Sequence, residues 1–245
     1  MGLESKLIEL VDDKANQDDG DYCLEYVTAS IYKLKQYLSG HVDLSRSEIN
    51  FILCKLVEHL TITLDIPISN IGLIRARKVD QPPLLYYYGN ISELSYMVNP
   101  TSTLPRLGRL NCVGNSIFYA SINNTSCDKS LRVTLSEIEA NDGDKVNVLN
   151  SVVKQGCFLN VRYIGIWGYV INNRKPYFLS QDIFDYYVAT HNYMKKMFSK
   201  NQLLAYDLCD IFFADVLSRK GSERLYNVTS ILSKRFLGGG TADAI

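Results

Sequence analysis

Three arginines, an asparagine, a tyrosine and a glutamate stand out in this chain for the company they keep. Arg75 and Arg77 alternate along "LIRARKV". On a strand, alternate side chains point to the same face. The run ahead of Arg75 is apolar, so the base of its side chain is expected to be buried. A buried guanidinium is costly unless it meets an anion. That anion is either an internal carboxylate, the commoner solution, or a ligand phosphate, which the planar fork of arginine suits. In "RLGRLNCVGNSIFYAS", Gly108 lets the backbone bend before Arg109, and Asn111 and Gly114 are turn formers. Tyr119 closes the apolar run that follows, where a ring lines a crevice or packs in the core. In "TLSEIEANDGDKVNV", Glu137 and Glu139 precede a Gly-centred turn. Glu139 reads as solvated, and Glu137 as able to point back toward the strand crevice.

Other chemistries are argued against. The cysteines, Cys23, Cys54, Cys112, Cys127, Cys157 and Cys209, contain no C-x-x-C pair and read as reduced thiols of a cytosolic protein. The histidines, His41, His59 and His191, are scattered without an H-E-x-x-H, so no metal site is expected. No G-x-G-x-x-G follows a strand, and "LGGGT" lacks the Lys-Ser/Thr ending of a phosphate-binding P-loop. The 26 basic and 26 acidic side chains cancel, which argues against a direct nucleic-acid binder while leaving room for a local positive pocket. No apolar run approaches the roughly 20 residues of a membrane span, and no secretory signal is visible at the N-terminus.

These residues need elements to hold them. The first stretch reads as helical: Leu24, Val27, Ile31, Leu34 and Leu38 recur at helical steps, and Gly40 is a natural stop. Ser45 and Glu48 form a capping-box pattern ahead of Ile49, Ile52, Leu53 and Leu56. From "IGLIRARKV" the texture turns β-prone, through "SIFYAS", "KVNVLN" and "CFLNVRYIGIWGYVIN", with "DKSLRVTLSEIEA" between them reading as a helix or an exposed turn with one apolar side. Helices return with "PYFLSQDIFDYYVATHNYMKKMF", "NQLLAYDLCDIFFADVLSRK" and "ERLYNVTSILSKRFL". "ADAI" after the glycine run is expected to start another strand. This order predicts an α+β chain: residues 1–65 as a helical N-terminal extension and 66–245 as one domain.

Taken together, "LIRARKV", "GRLNCVGNSIFYAS" and "LSEIEANDGDKVNVLN", with "LYNVTSILSKRF" and "TADAI" later, resemble the RES domain family, named for its arginine, glutamate and serine. The likeness spans about residues 70–245. It implies an ADP-ribosyltransferase-like mixed β core and a cytoplasmic enzyme that consumes NAD as substrate, by hydrolysis, phosphorolysis or ADP-ribosyl transfer, with no further cofactor. It also implies a toxin of a toxin–antitoxin pair, with an antitoxin protein as partner and self-association as an option. By the resemblance, Arg75 matches the first family arginine, Arg109 the Gly-Arg position, Tyr119 the strand tyrosine and Glu137 the glutamate. Breaking the nicotinamide–ribose bond passes through an oxocarbenium-like state, as glycoside hydrolysis does. On that reading Glu137 stabilises the positive charge, Arg75, Arg77, Arg109 and Asn111 hold the dinucleotide, and Tyr119 orients the nicotinamide side. The family serine is expected shortly after "ADAI", and the chain ends at Ile245, so no residue is assigned to it. The alternative expectation is an inactive module of this kind that binds a nucleotide or a partner protein.

Overall fold

The computed structural model describes residues 3–16, 20–59, 61–63, 65–79, 109–111, 117–123 and 127–237. Its elements run α1 (Leu3–Ala15), α2 (Gly20–Leu38), α3 (Arg46–His59), β1 (Asp65–Ile68), β2 (Gly72–Lys78), β3 (Ser121–Ile122), α4 (Cys127–Glu137) and β4 (Val146–Val152). They continue with β5 (Leu159–Arg162), α5 (Ile166–Ile171), α6 (Gln181–Met197), α7 (Lys200–Ser218) and α8 (Glu223–Leu237). The chain is α+β. β1 pairs with β5, and a second sheet has the order β3-β2-β4.

The backbone clusters into two units: residues 1–66, 107–110 and 161–245 form one, and 67–106 with 111–160 the other. In the first, α2 packs on α7, α1 on α6, α3 on α8, and α5 on both α6 and α7. The N-terminal helices are therefore part of a bundle with the C-terminal ones, not an extension beside a separate domain. Their apolar stripes explain this. Val27 and Leu34 of α2 and Ile49, Leu53 and Leu56 of α3 are buried, and a stripe of this kind is stable only against another element. Polar contacts fix the partners: Tyr193 Oη donates to Asp12 Oδ1 at 2.7 Å, and Arg46 Nη1 to Asn227 Oδ1 at 3.0 Å. The expected capping box is present, with Ser45 N donating to Glu48 Oε2 at 2.8 Å and Glu48 N to Ser45 Oγ at 3.2 Å.

In the second unit β2 is the central strand, antiparallel to β3 and β4. Helix α4 lies on one face of this sheet. Thr134 Oγ1 donates to Ser121 Oγ at 2.9 Å, and Ser130 Oγ to the Ile122 carbonyl at 2.7 Å. Ser130 and Thr134 are both buried, and residues four apart share a helix face. Small hydroxyl side chains thus let α4 sit close to the strands.

Two strand expectations change. Of "SIFYAS" only Ser121 is strand, paired on into Ile122, with Ile117 to Ala120 irregular. "IGIWGYVIN", which reads as β from its branched and aromatic content, is helix α5. Gly165 takes φ 82° ahead of it, and Asp210 of α7 accepts from Gly165 N at 2.8 Å and Trp167 N at 3.0 Å. A carboxylate from a distant helix satisfies the first amides, which outweighs local β propensity. The strand expected at "ADAI" lies outside the described residues.

Candidate functional site

Strand β2 decides where its arginines go. Ser121 stands opposite Ile74 in the β2–β3 register, and opposite residues share a face. Because Ser121 meets Thr134, the α4 side of the sheet is the side of Ile74 and Ala76, both buried. Arg75 and Arg77 alternate with them and lie on the other side. In β4 their opposite numbers are Leu149 and Asn147.

Arg75 is half-buried, and its guanidinium carbon sits 5.0 Å from the centre of the Phe118 ring. A cation over a ring face gains about 0.5–2 kcal/mol. Its Nη1 is buried with no hydrogen-bond partner, and no carboxylate pairs with Arg75 among the described residues. Among the described residues Arg75 lacks the internal salt bridge that is the commoner fate of such an arginine. Burial, followed by repulsion from Arg77, holds the guanidinium below its ordinary pKa, with Tyr119 acting in the opposite sense. A group that loses this much by being charged is one that an incoming anion would stabilise.

Tyr119 is half-buried and donates through Oη to Asn111 Oδ1 at 3.1 Å. Asn111 thereby fixes a phenol in the same unit as Arg75. Arg77 is exposed. Arg109 belongs to the helical unit, where its carbonyl accepts from Thr229 Oγ1 of α8. Glu137 is the last residue of α4 and is exposed. Since α4 covers the opposite face from Arg75, the fold brings together Arg75, Phe118, Tyr119 and Asn111 and leaves Glu137 across the sheet. Gly108 and Gly114 lie outside the described residues. A hollow of ≈ 430 Å³ elsewhere in this unit is lined by Pro67, Ser69, Asn70, Gln155, Gly156, Cys157 and Phe158, none of them a candidate from the sequence.

Sequence reasoning passed over a polar cluster in the helical unit. His191 Nε2 lies 3.2 Å from Asp207 Oδ1, both largely buried, and the Trp167 ring stacks on His191 at 5.7 Å. Tyr187 meets Trp167 edge-on at 5.3 Å. Burial lifts the Asp210 carboxyl to about 6, although two backbone amides oppose the shift. The readable signal was the pair Asp207 and Asp210 inside the otherwise apolar "LLAYDLCDIFF", since acids in an apolar helix need partners. Among the described residues no cluster of His, Cys, Asp or Glu could hold a metal ion, and no helix is long and apolar enough to cross a membrane. Comparison with protein-family models, with curated proteins and with solved structures gave no match.

Proposed function

We propose that this protein binds a phosphate-bearing nucleotide through Arg75, and that NAD, the substrate its sequence resemblance implies, is that ligand. One observation carries the reading: a guanidinium nitrogen, Nη1 of Arg75, is buried without a hydrogen-bond partner among the described residues. Leaving such a donor unmade costs about 1–3 kcal/mol or more, and a phosphate oxygen would recover it with a charge-assisted bond. Phe118 and Tyr119 add ring faces of the kind on which bases stack. Asn111 holds the Tyr119 hydroxyl, so the phenol would meet a ligand already oriented.

Cleavage of the nicotinamide–ribose bond needs a carboxylate beside the ribose. Glu137 lies across the sheet from Arg75, which favours the second reading, binding without cleavage by this residue. The ADP-ribosyltransferase-like architecture, growth arrest through NAD depletion and an antitoxin partner belong to the same proposal through the resemblance, and they stand or fall with NAD turnover.

Calorimetric titration with NAD, paired with an assay for free nicotinamide, separates the readings. Wild type is expected to bind saturably, and Arg75→Gln to weaken binding at least tenfold, the equivalent of about 1.4 kcal/mol. Glu137→Gln is expected to change neither binding nor nicotinamide release. Release from wild type that Glu137→Gln abolishes, with folding intact, restores the enzymatic reading with Glu137 in it. Absence of saturable NAD binding ends the proposal.

A further inference from the structure

Two nitrogen donors on one face of the β3-β2-β4 sheet are buried and make no hydrogen bond among the described residues: Nη1 of Arg75 and Nδ2 of Asn147. Asn147 is only 9% exposed. In the β2–β4 register Asn147 faces Arg77 and Leu149 faces Arg75. The four residues therefore share a face, with Asn147 on the diagonal from Arg75, about 7–8 Å away and within reach of long side chains. Among the described residues of β2 and β4 this side carries no acid: Leu73, Leu149 and Ser151 complete it.

A guanidinium and an amide NH2 are both donors, so neither can satisfy the other. What complements the pair is a group with several acceptor oxygens, and Arg77 on the same face favours a negative one. Each buried donor left unmade costs about 1–3 kcal/mol, and here two occur side by side on a single strand pair. An internal packing purpose would be served better by an aliphatic residue at position 147, as at Leu149.

We propose that Asn147 is a ligand-binding residue: this face is a phosphoryl subsite in which one oxygen accepts from Arg75 Nη1 and another from Asn147 Nδ2. The inference rests on the reading that Arg75 holds a phosphate-bearing ligand, and it adds a neutral donor that no sequence motif singled out. A neutral amide beside a cation holds the anion in register without adding charge repulsion to an already positive face.

The test is titration of the full chain with inorganic pyrophosphate, with circular dichroism as the control for folding. Asn147→Leu removes the orphan donor and fills its space, so stability is expected to hold or rise while pyrophosphate affinity falls about tenfold or more. Asn147→Asp sets a carboxylate beside Arg75 and is expected to lower affinity at least as much, which decides the matter if the leucine variant folds poorly. If Arg75→Gln loses pyrophosphate while both Asn147 variants bind as wild type does, the subsite is overturned and the Arg75 reading survives. If wild type does not bind, or Arg75→Gln binds unchanged, both are overturned.

Discussion

Gly165 shows how a single residue can be dictated by two demands at once. Its φ is 82°, and a Cβ added there would lie 2.4 Å from Cβ of Ala214. The left-handed backbone disfavours any L side chain, and a neighbouring methyl on a packed helix has nowhere to go. Gly165→Ala is expected to cost about 3 kcal/mol, combining a backbone penalty with overpacking, read as a lower urea midpoint. Little or no loss would mean that the α5–α7 contact is looser than this geometry. Arg75 makes the opposite point. Its strand face was readable from alternation alone, but the cation–π partner Phe118 and the missing carboxylate depended on which segments folded onto that face.

Among elements, α5 depends on a borrowed cap. At six residues it is too short to be stable alone, and Asp210 holds its first amides from α7. The folded carboxyl titrates at about 6 against an ordinary 3.8. Between those values the folded chain binds more protons at this site than the unfolded chain does, so stability there falls as pH rises, and is level above both. The size is on the order of 3 kcal/mol from two pH units. Asp210→Asn removes the titration, so the stability of wild type relative to this variant is expected to fall between pH 4 and pH 6.5 and then flatten. Urea denaturation at several pH values measures it; a difference that stays constant with pH would show that Asp210 keeps its usual acidity.

For the molecule as a whole, the N-terminal and C-terminal helices share a core. α1 packs on α6, α2 on α7 and α3 on α8, and Leu7, Val27, Leu34, Leu53 and Leu56 are fully buried. Each such side chain contributes about 1.5–3 kcal/mol by burial, against a typical net stability of roughly 5–15 kcal/mol. A chain starting at residue 66 is therefore expected to lose cooperative thermal unfolding and to aggregate, measured by calorimetry and size-exclusion chromatography. A cooperative monomer from residue 66 would instead establish residues 1–65 as a dispensable extension.

The sequence by itself determined most of the helices, the capping box at Ser45, strands β2 and β4, and the pairing of Arg75 with Arg77 on one face, because periodicity and capping act over a few residues. It left α5 looking like a strand, since the carboxylate that caps it lies 43 residues further along. It could not place Glu137 relative to Arg75, because both read as crevice residues until α4 had chosen a face of the sheet. Nor could it mark Asn147, an ordinary residue in an ordinary strand until register sets it opposite Arg77 and diagonal to Arg75. Facing, register and long-range caps are settled by which surfaces must be buried together, and only the folded chain fixes them.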